Sequence, residues 1–166
     1  MKNIYSYTFI CLSFFLFSFL LFTDAEKTAF YKILSSSKEE MIVNYRKKLA
    51  VNLTSYDAKA YHASLIMKEA KFAISPFTKL ERFNKGKELL ESVIALNKNN
   101  TEYRFLRLMV QENAPSMLGY DTNIKQDSQL IKTGFSQLSE TIQTVVLNYS
   151  KTSNNLSYSQ LKELQK

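Results

Sequence analysis

The sequence is poor in the residues that most often carry out catalysis or bind metals. Its 166 residues include one cysteine, Cys11, and one histidine, His62. A single cysteine cannot form an internal disulfide, and residues 26–166 offer no thiol as a nucleophile or metal ligand. His, Asp and Glu residues nowhere cluster at the spacing of metal ligands. We therefore expect no metal site.

Glycine and proline are also scarce, with three and two residues respectively. So few turn-forming residues argue against a turn-rich β protein. The isolated glycines form no phosphate-binding loop, and we expect no bound cofactor. Beyond residue 25 the apolar residues recur with a period of 3.6 rather than 2, which indicates helices. We predict an all-α fold built as an irregular array of antiparallel helix pairs.

The charge is unbalanced, with 22 basic and 15 acidic residues and a formal net charge of +7. The basic residues are mostly lysine and are spread along the chain, whereas nucleic-acid-binding proteins usually concentrate them on one face. We therefore expect a solvated basic surface and no nucleic-acid partner. An exported basic protein is also attracted to anionic lipid or polysaccharide.

The first 25 residues have the three-part pattern of a secretory signal peptide. Lys2 supplies the positive start, residues 7–22 form an uncharged apolar run, and the small residues Thr23 and Ala25 precede a cut after Ala25. The alternative is an uncleaved anchor, because residues 4–22 approach the roughly 20 residues that span a bilayer. We predict an exported protein of the periplasm or cell envelope, or one anchored in the inner membrane by this segment.

The rest of the chain divides into a helical domain, residues 26–150, and a polar C-terminal tail, residues 151–166, with room for one short helix around Leu161. The helices are predicted over residues 26–34, 37–52, 54–74, 78–96, 101–112 and 121–138, with a further apolar stripe over 142–149. Predicted N-terminal caps are Ser37 with Glu40, Thr54 or Ser55, Thr78 with Glu81, and Asn99 with Glu102. Side chains expected to face inward include Met41, Ile42, Leu49, Leu80, Phe83, Leu90, Ile124 and Ile131.

Residues 86–100 resemble the second helix of a tetratricopeptide repeat and the turn after it. Gly86, Leu90 and Val93 match the small and apolar positions of that repeat, whereas Lys98 stands where the turn usually has proline. The next helix departs from the pattern, since Arg104 and Arg107 occupy positions that are apolar in the family. The resemblance covers barely one repeat and implies stacked helix pairs only.

A second resemblance covers more of the chain. The segments 83–87, 102–108, 111–115 and 118–120 are similar to those of a family of small exported proteins of Gram-negative bacteria that has no assigned activity. This resemblance implies export and a helical fold, and it implies no catalytic role.

The helix predicted over residues 101–112 combines an apolar surface with a polar stripe. A helix that is apolar nearly all round is usually buried, yet Arg104, Arg107 and Gln111 recur at spacings of three and four. Arginine binds carboxylates in a bidentate manner. One interpretation is an anion or peptide-carboxylate site on these residues, rimmed by three polar side chains: Glu112, Asn113 and Tyr120. The alternative is structural: the arginines pair with internal carboxylates such as Glu69, Glu81 or Glu112, or reach the surface.

The single histidine does not form a catalytic constellation by spacing. His62 could act as a general base, but no nucleophile or orienting carboxylate is placed beside it by the sequence. We therefore predict a non-catalytic interaction protein of the cell envelope that binds an unidentified protein or peptide along a helical groove. The alternatives are an envelope hydrolase that uses His62 and Glu112, and a structural protein held in the membrane by residues 4–22.

Overall fold

The computed structural model describes residues 22–165, and within that range the predicted all-α fold is confirmed. The apolar segment predicted as a signal or anchor lies outside the described residues except for its last positions. The α-helices of this range are α1 Asp24–Leu34, α2 Glu39–Ala50, α3 Tyr56–Ala70, α4 Pro76–Leu96, α5 Thr101–Asn113, α6 Ile124–Gly134, α7 Glu140–Ser150 and α8 Tyr158–Leu164. Short 3-10 helices cover Ser116–Leu118 and Phe135–Gln137.

Most of these helices begin at a polar side chain that accepts a hydrogen bond from a free backbone N–H of the first turn. The residues that do so are Ser55, Ser75, Asn100, Ser139 and Ser157. Thr23 also accepts from its helix, and Glu26 bonds back to the Thr23 N–H, which completes a capping box. The predicted cap at Ser55 is therefore confirmed.

Two predicted caps are wrong because the helices start elsewhere. Lys38, which makes no capping hydrogen bond, precedes α2 in place of Ser37. The start of α4 lies before the predicted one, with Ser75 as the cap instead of Thr78. Pro76 follows Ser75 in the first turn, where the missing N–H of proline removes no hydrogen bond.

The cap of α5 also differs from the prediction by one residue. The side chain of Asn100, not Asn99, accepts a hydrogen bond from the Tyr103 N–H at 3.0 Å. Glu102 makes no capping bond and instead turns its carboxylate inward, where it is buried. The residue predicted to help begin the helix therefore belongs to the interior.

Some predicted inward positions face solvent. α3 ends at Ala70 instead of continuing to residue 74, so the following residues form a turn at the surface. Met41 and Leu80 were predicted on buried stripes and are exposed, whereas Ile42 is fully buried. The apolar stripe of a helix is wider than the contact it makes, and residues at its edge remain in water.

α3 lies at the centre of the fold. It packs against α4 along most of its length and also contacts α2 and α5, while α5 packs on α6 and α1 packs on α7. Tyr61 of α3 is fully buried, and its ring stacks on that of Phe30 at a centroid distance of 3.9 Å. Phe22, just before α1, meets Tyr61 edge-on at 4.9 Å. Buried on nearly all sides, α3 joins the helices around it into one core.

Gly86 allows α3 and α4 to approach closely. A methyl group placed on Gly86 would lie 2.7 Å from the Ala63 carbonyl oxygen and 2.6 Å from the Met67 Cγ. The Met67 side chain can move aside, but the Ala63 carbonyl belongs to the backbone of α3. A side chain at this position therefore requires the two helices to separate.

We expect Gly86→Ala to destabilise the protein by about 1–3 kcal/mol, the usual cost of overpacking. This loss would appear even though alanine is the better helix former by about 1 kcal/mol. Asn84→Ala is the matched control, because Asn84 is exposed on the same helix and gains helix propensity without a clash. Urea unfolding followed by circular dichroism measures both variants. A Gly86→Ala variant as stable as Asn84→Ala would contradict the close approach.

Both predicted domain boundaries fall within folded structure. Asp24 and Ala25 belong to the first turn of α1, so a cut after Ala25 would remove the Thr23 cap of that helix. Beyond residue 150, Leu156 and Leu161 are buried, and the short helix predicted around Leu161 corresponds to α8. Among residues 22–165, no helix has the length and apolarity needed to cross a membrane.

Candidate functional site

The arginines of the predicted polar stripe lie inside the domain. Arg104, Arg107 and Gln111 of α5 are all buried, and Arg107 is only 3% exposed. Their helix lies between α3, α4 and α6, so the stripe faces neighbouring helices. Buried guanidinium groups require charged partners, because an unpaired charge in the interior is very costly.

Asp127 of α6 is the shared partner of both arginines. Its fully buried carboxylate accepts from the Arg107 Nε and Nη2 at 2.7 Å each, which is the bidentate geometry that arginine favours. It also accepts from the Arg104 Nη1 at 3.2 Å. The Arg104 Nε and Nη2 donate to the Lys98 carbonyl oxygen at 3.0 and 2.8 Å.

Glu91 of α4 completes the pairing of Arg107. The Arg107 Nη1 donates to the Glu91 Oε2 at 2.7 Å, and the Tyr120 hydroxyl donates to the other Glu91 oxygen. Burial alone would lower the pKa of Arg107, but the hydrogen bonds and charge of Asp127, with Glu91, raise it above its ordinary value. All three nitrogens of this guanidinium are thus bound to carboxylates of the same domain.

Arg104 and Arg107 are therefore paired with carboxylates inside the domain, as the structural alternative predicts. Tyr120 joins their network through Glu91. The partners differ from those named from the sequence: they are Asp127 and Glu91, not Glu69, Glu81 or Glu112. Glu69 instead pairs with Arg46 and with Arg82, the latter at 3.2 Å. Gln111 is buried beside this network, and neither of its amide atoms has a hydrogen-bond partner among the described residues.

Glu112 and Asn113 have a different role from the arginines. Glu112 accepts from the Tyr149 hydroxyl at 2.6 Å and from the Ser153 hydroxyl at 2.7 Å. The same carboxylate accepts from the backbone N–H and the side-chain amide of Asn155 at 3.1 and 2.7 Å. Asn113 donates to the Met109 carbonyl oxygen at 2.8 Å and to Tyr149 at 3.3 Å. These bonds hold residues 153–155 against the end of α5.

His62 is 7% exposed on α3, and its Nδ1 has no hydrogen-bond partner among the described residues. Burial lowers its pKa, because the charged imidazolium is disfavoured away from water. Glu112, its proposed catalytic partner, is occupied by Tyr149, Ser153 and Asn155. Within residues 22–165, no group of three or more His, Cys, Asp and Glu residues is arranged to hold a metal ion.

Glu102 anchors a second buried cluster that the sequence did not reveal. It pairs with the Lys27 Nζ at 2.7 Å and accepts from the Tyr31 hydroxyl at 3.2 Å and from the Tyr61 hydroxyl. This cluster joins α1 and α3 to the start of α5. Glu102 follows the turn before α5, where an acidic residue is usually explained by the helix dipole, so its sequence context suggested a cap.

A polar groove of about 380 Å³ lies between α6 and the C-terminal segment. One wall is formed by residues of α6 at spacings of three and four: Lys125, Ser128, Gln129 and Lys132. The other wall is residues 154–157 with Gln160 and Leu161. Lys125 and Lys132 are the only ionisable side chains among its described lining residues, so the groove is positively charged.

The predicted site residues position both walls of this groove. Arg104 and Arg107 bind Asp127, which lies on α6 between the groove residues Lys125 and Gln129 and fixes how α6 is rotated. On the other side, Glu112 holds the C-terminal wall through Ser153 and Asn155. Sequence reasoning missed the groove itself, because its walls are polar residues from two separate parts of the chain.

Comparison with protein-family models, curated proteins and solved structures finds no match to this chain. The features of the chain that bear on its function are therefore the shape and charge of the groove. The resemblance to small exported proteins of Gram-negative bacteria stays a prediction.

Proposed function

We propose that this chain is an exported, non-catalytic interaction protein of the cell envelope that binds an acidic peptide or protein segment in the groove between α6 and the C-terminal segment. The observation that supports it is the charge of the groove, whose ionisable lining consists of Lys125 and Lys132. The leader pattern of residues 1–25 supports export.

The chemistry of the lining suits a peptide. Lys125 and Lys132 are seven residues apart on α6, about 10 Å along the helix axis, so they can bind two separated carboxylates of one ligand. Gln129 lies between them, and Asn154 and Gln160 line the groove from the other side: amides both donate and accept hydrogen bonds, as a peptide backbone requires. The proposed contact is therefore this groove, whose walls Arg104 and Arg107 help to position from inside.

A photo-crosslinking amino acid at Gln129, in cells that export the protein, tests this function. We expect a crosslink to one envelope protein from position 129 and none from Val51, an exposed position at the C-terminal end of α2. Replacing Lys125 and Lys132 together by glutamate should abolish the crosslink, because the groove then repels acidic ligands.

The matched control reverses Lys38 and Lys47, two exposed lysines in and just before α2. It changes the net charge by the same amount and should leave the crosslink intact. Equal crosslinking from Gln129 and Val51, or no envelope protein captured at position 129, would count against the proposed function. An activity lost in both His62→Ala and Glu112→Gln without loss of helicity would favour the hydrolase alternative.

A further inference from the structure

The turn between α3 and α4 exposes a cluster of large apolar side chains. Ile74 is fully exposed, Phe77 is 76% exposed and Leu80 is 46% exposed. Phe77 and Leu80 are three residues apart, so they share one side of α4, and Ile74 lies just before the helix. Single exposed apolar residues are common, but three together at the end of a helix pair indicate a surface that binds a partner. We name residues 71–80 the α3–α4 tip.

Basic residues surround this tip. The segment 68–85 contains five basic residues and two acidic ones. The basic residues are Lys68, Lys71, Lys79, Arg82 and Lys85. Of the acidic ones, Glu69 is buried and already paired with arginines, and Glu81 is exposed beside Leu80, so the segment keeps an excess of three positive charges.

Among residues 22–165, the lysines near the tip have no carboxylate partner. Within that range, ion pairs form at Arg82 but at none of the four lysines of this segment. The Lys71 Nζ lies 4.6 Å from the centre of the Phe72 ring. Partial burial and the nearby charge of Lys71 lower the pKa of Lys68, as expected for cations close together without an anion between them.

We propose that the α3–α4 tip docks onto an anionic phospholipid surface. Ile74, Phe77 and Leu80 enter the headgroup region, where apolar side chains gain by leaving water. Lys71 and Lys79 extend to the lipid phosphates, each contributing to attraction by a negatively charged bilayer. This surface is distinct from the groove on α6, and it is occupied by lipid whichever peptide the groove holds.

Charge and shape favour lipid over a protein ligand. The apolar residues lie at the end of a helix pair, in a segment whose net charge is positive, which complements an anionic surface. Phe22 lies against Tyr61 in the first half of α3, whereas Ile74 follows the last residue of that helix. Docking at the tip would therefore give the domain a contact with the bilayer separate from the apolar segment that ends at Phe22.

Tryptophan fluorescence in the full chain tests the docking, because the sequence contains no tryptophan of its own. Phe77→Trp and, as a control, Met117→Trp place a single reporter at two highly exposed apolar positions. The vesicles contain equal parts of phosphatidylglycerol and brominated phosphatidylcholine, and a second set contains brominated phosphatidylcholine alone. We expect Phe77→Trp emission to shift to shorter wavelength and to be quenched in the anionic vesicles, with Met117→Trp unchanged.

Replacing Lys71 and Lys79 by glutamine in the Phe77→Trp chain should weaken docking of the tip about fivefold for each charge removed. A Phe77→Trp chain that is bound to vesicles through residues 7–22 but keeps its tryptophan in water would overturn the proposal. Equal quenching in neutral vesicles would also overturn it, since the lysines would then have no role. If the tryptophan of this variant responds to envelope proteins and not to vesicles, the occupant is a protein and the lipid proposal is wrong.

Discussion

Between pH 10 and pH 11 we expect the free energy of unfolding to fall by about 5 kcal/mol, and the protein to unfold soon above that range. Five buried or half-buried tyrosines cause this effect: Tyr31, Tyr61, Tyr103, Tyr120 and Tyr149, the last of which is bonded to Glu112. Burial raises the pKa of each one well above 10, and nearby carboxylates raise it further. Those carboxylates are Glu102 for Tyr31 and Tyr61, Asp57 for Tyr103, and Glu91 for Tyr120.

The direction follows from proton binding. Above pH 10 the unfolded chain loses its tyrosine protons while the folded protein keeps them, so stability falls as the pH rises. Each tyrosine contributes about 1 kcal/mol of this loss between pH 10 and pH 11, and about 1.4 kcal/mol for each further pH unit. Their contribution is fully present below pH 10. Urea unfolding between pH 8 and pH 11.5 measures the slope, and absorbance at 295 nm reports tyrosinate.

Tyr120→Phe is the control for the assignment. It removes one of the five titrating tyrosines, so the slope above pH 10 should fall by about a fifth, whatever happens to stability at neutral pH. If the five tyrosines ionised near pH 10 while the helices remained intact, the carboxylate clusters would not be arranged as described. A flat stability profile up to pH 11 would lead to the same conclusion.

Asp127→Ala should destabilise the protein by about 3–5 kcal/mol, a large part of the stability of a domain of this size. The loss does not reflect a strong attraction in the native pair. It arises because Arg104 and Arg107 remain buried without their shared carboxylate. Asp127→Asn should cost nearly as much, since the amide keeps the shape and lacks the charge. Chemical denaturation at pH 7 measures both variants.

Asp121→Ala is the matched control, because Asp121 is an exposed aspartate just before the same helix. It should change the free energy of unfolding by less than about 0.5 kcal/mol. A triple variant with Arg104→Met, Arg107→Met and Asp127→Leu removes all three charges at similar volume and should regain most of the lost stability. If Asp127→Ala were as mild as Asp121→Ala, the network would lie open to water and the arginines would be free to bind a ligand.

The polar stripe of α5 shows which features the helical period of the sequence can predict. The spacing of Arg104, Arg107 and Gln111 placed them together on a largely apolar helix, and the structure buries all three. The sequence of α6 contains a second indication, the position of Asp127. Asp127 lies between Ile124 and Ile131 at spacings of three and four, so the stripe that predicted two inward apolar residues also placed a carboxylate inward. A buried acid on one helix and buried arginines on another are expected to meet.

The helix ends show the opposite case. Several polar residues near each start can act as the cap, and the sequence does not decide among them. Asn99 and Asn100 are adjacent and either side chain can accept a capping bond, whereas α2 follows Lys38, whose side chain makes none; successive residues point about 100° apart around a helix. The rotation that buries the apolar stripe selects the start, and this selection involves other helices.

The sequence by itself determined that this protein is all-α, where most of its helices lie and that Arg104, Arg107 and Gln111 share one side of α5. These properties depend on residues within one or two helical turns of each other, so they can be predicted from apolar and polar residues that recur every 3.6 positions. Only the tertiary structure decided that Asp127 and Glu91 pair with the arginines, that Glu102 binds two tyrosines, and that a basic groove forms beside α6. Those contacts join residues 16 to 71 positions apart, and they depend on how the helices rotate and slide against one another.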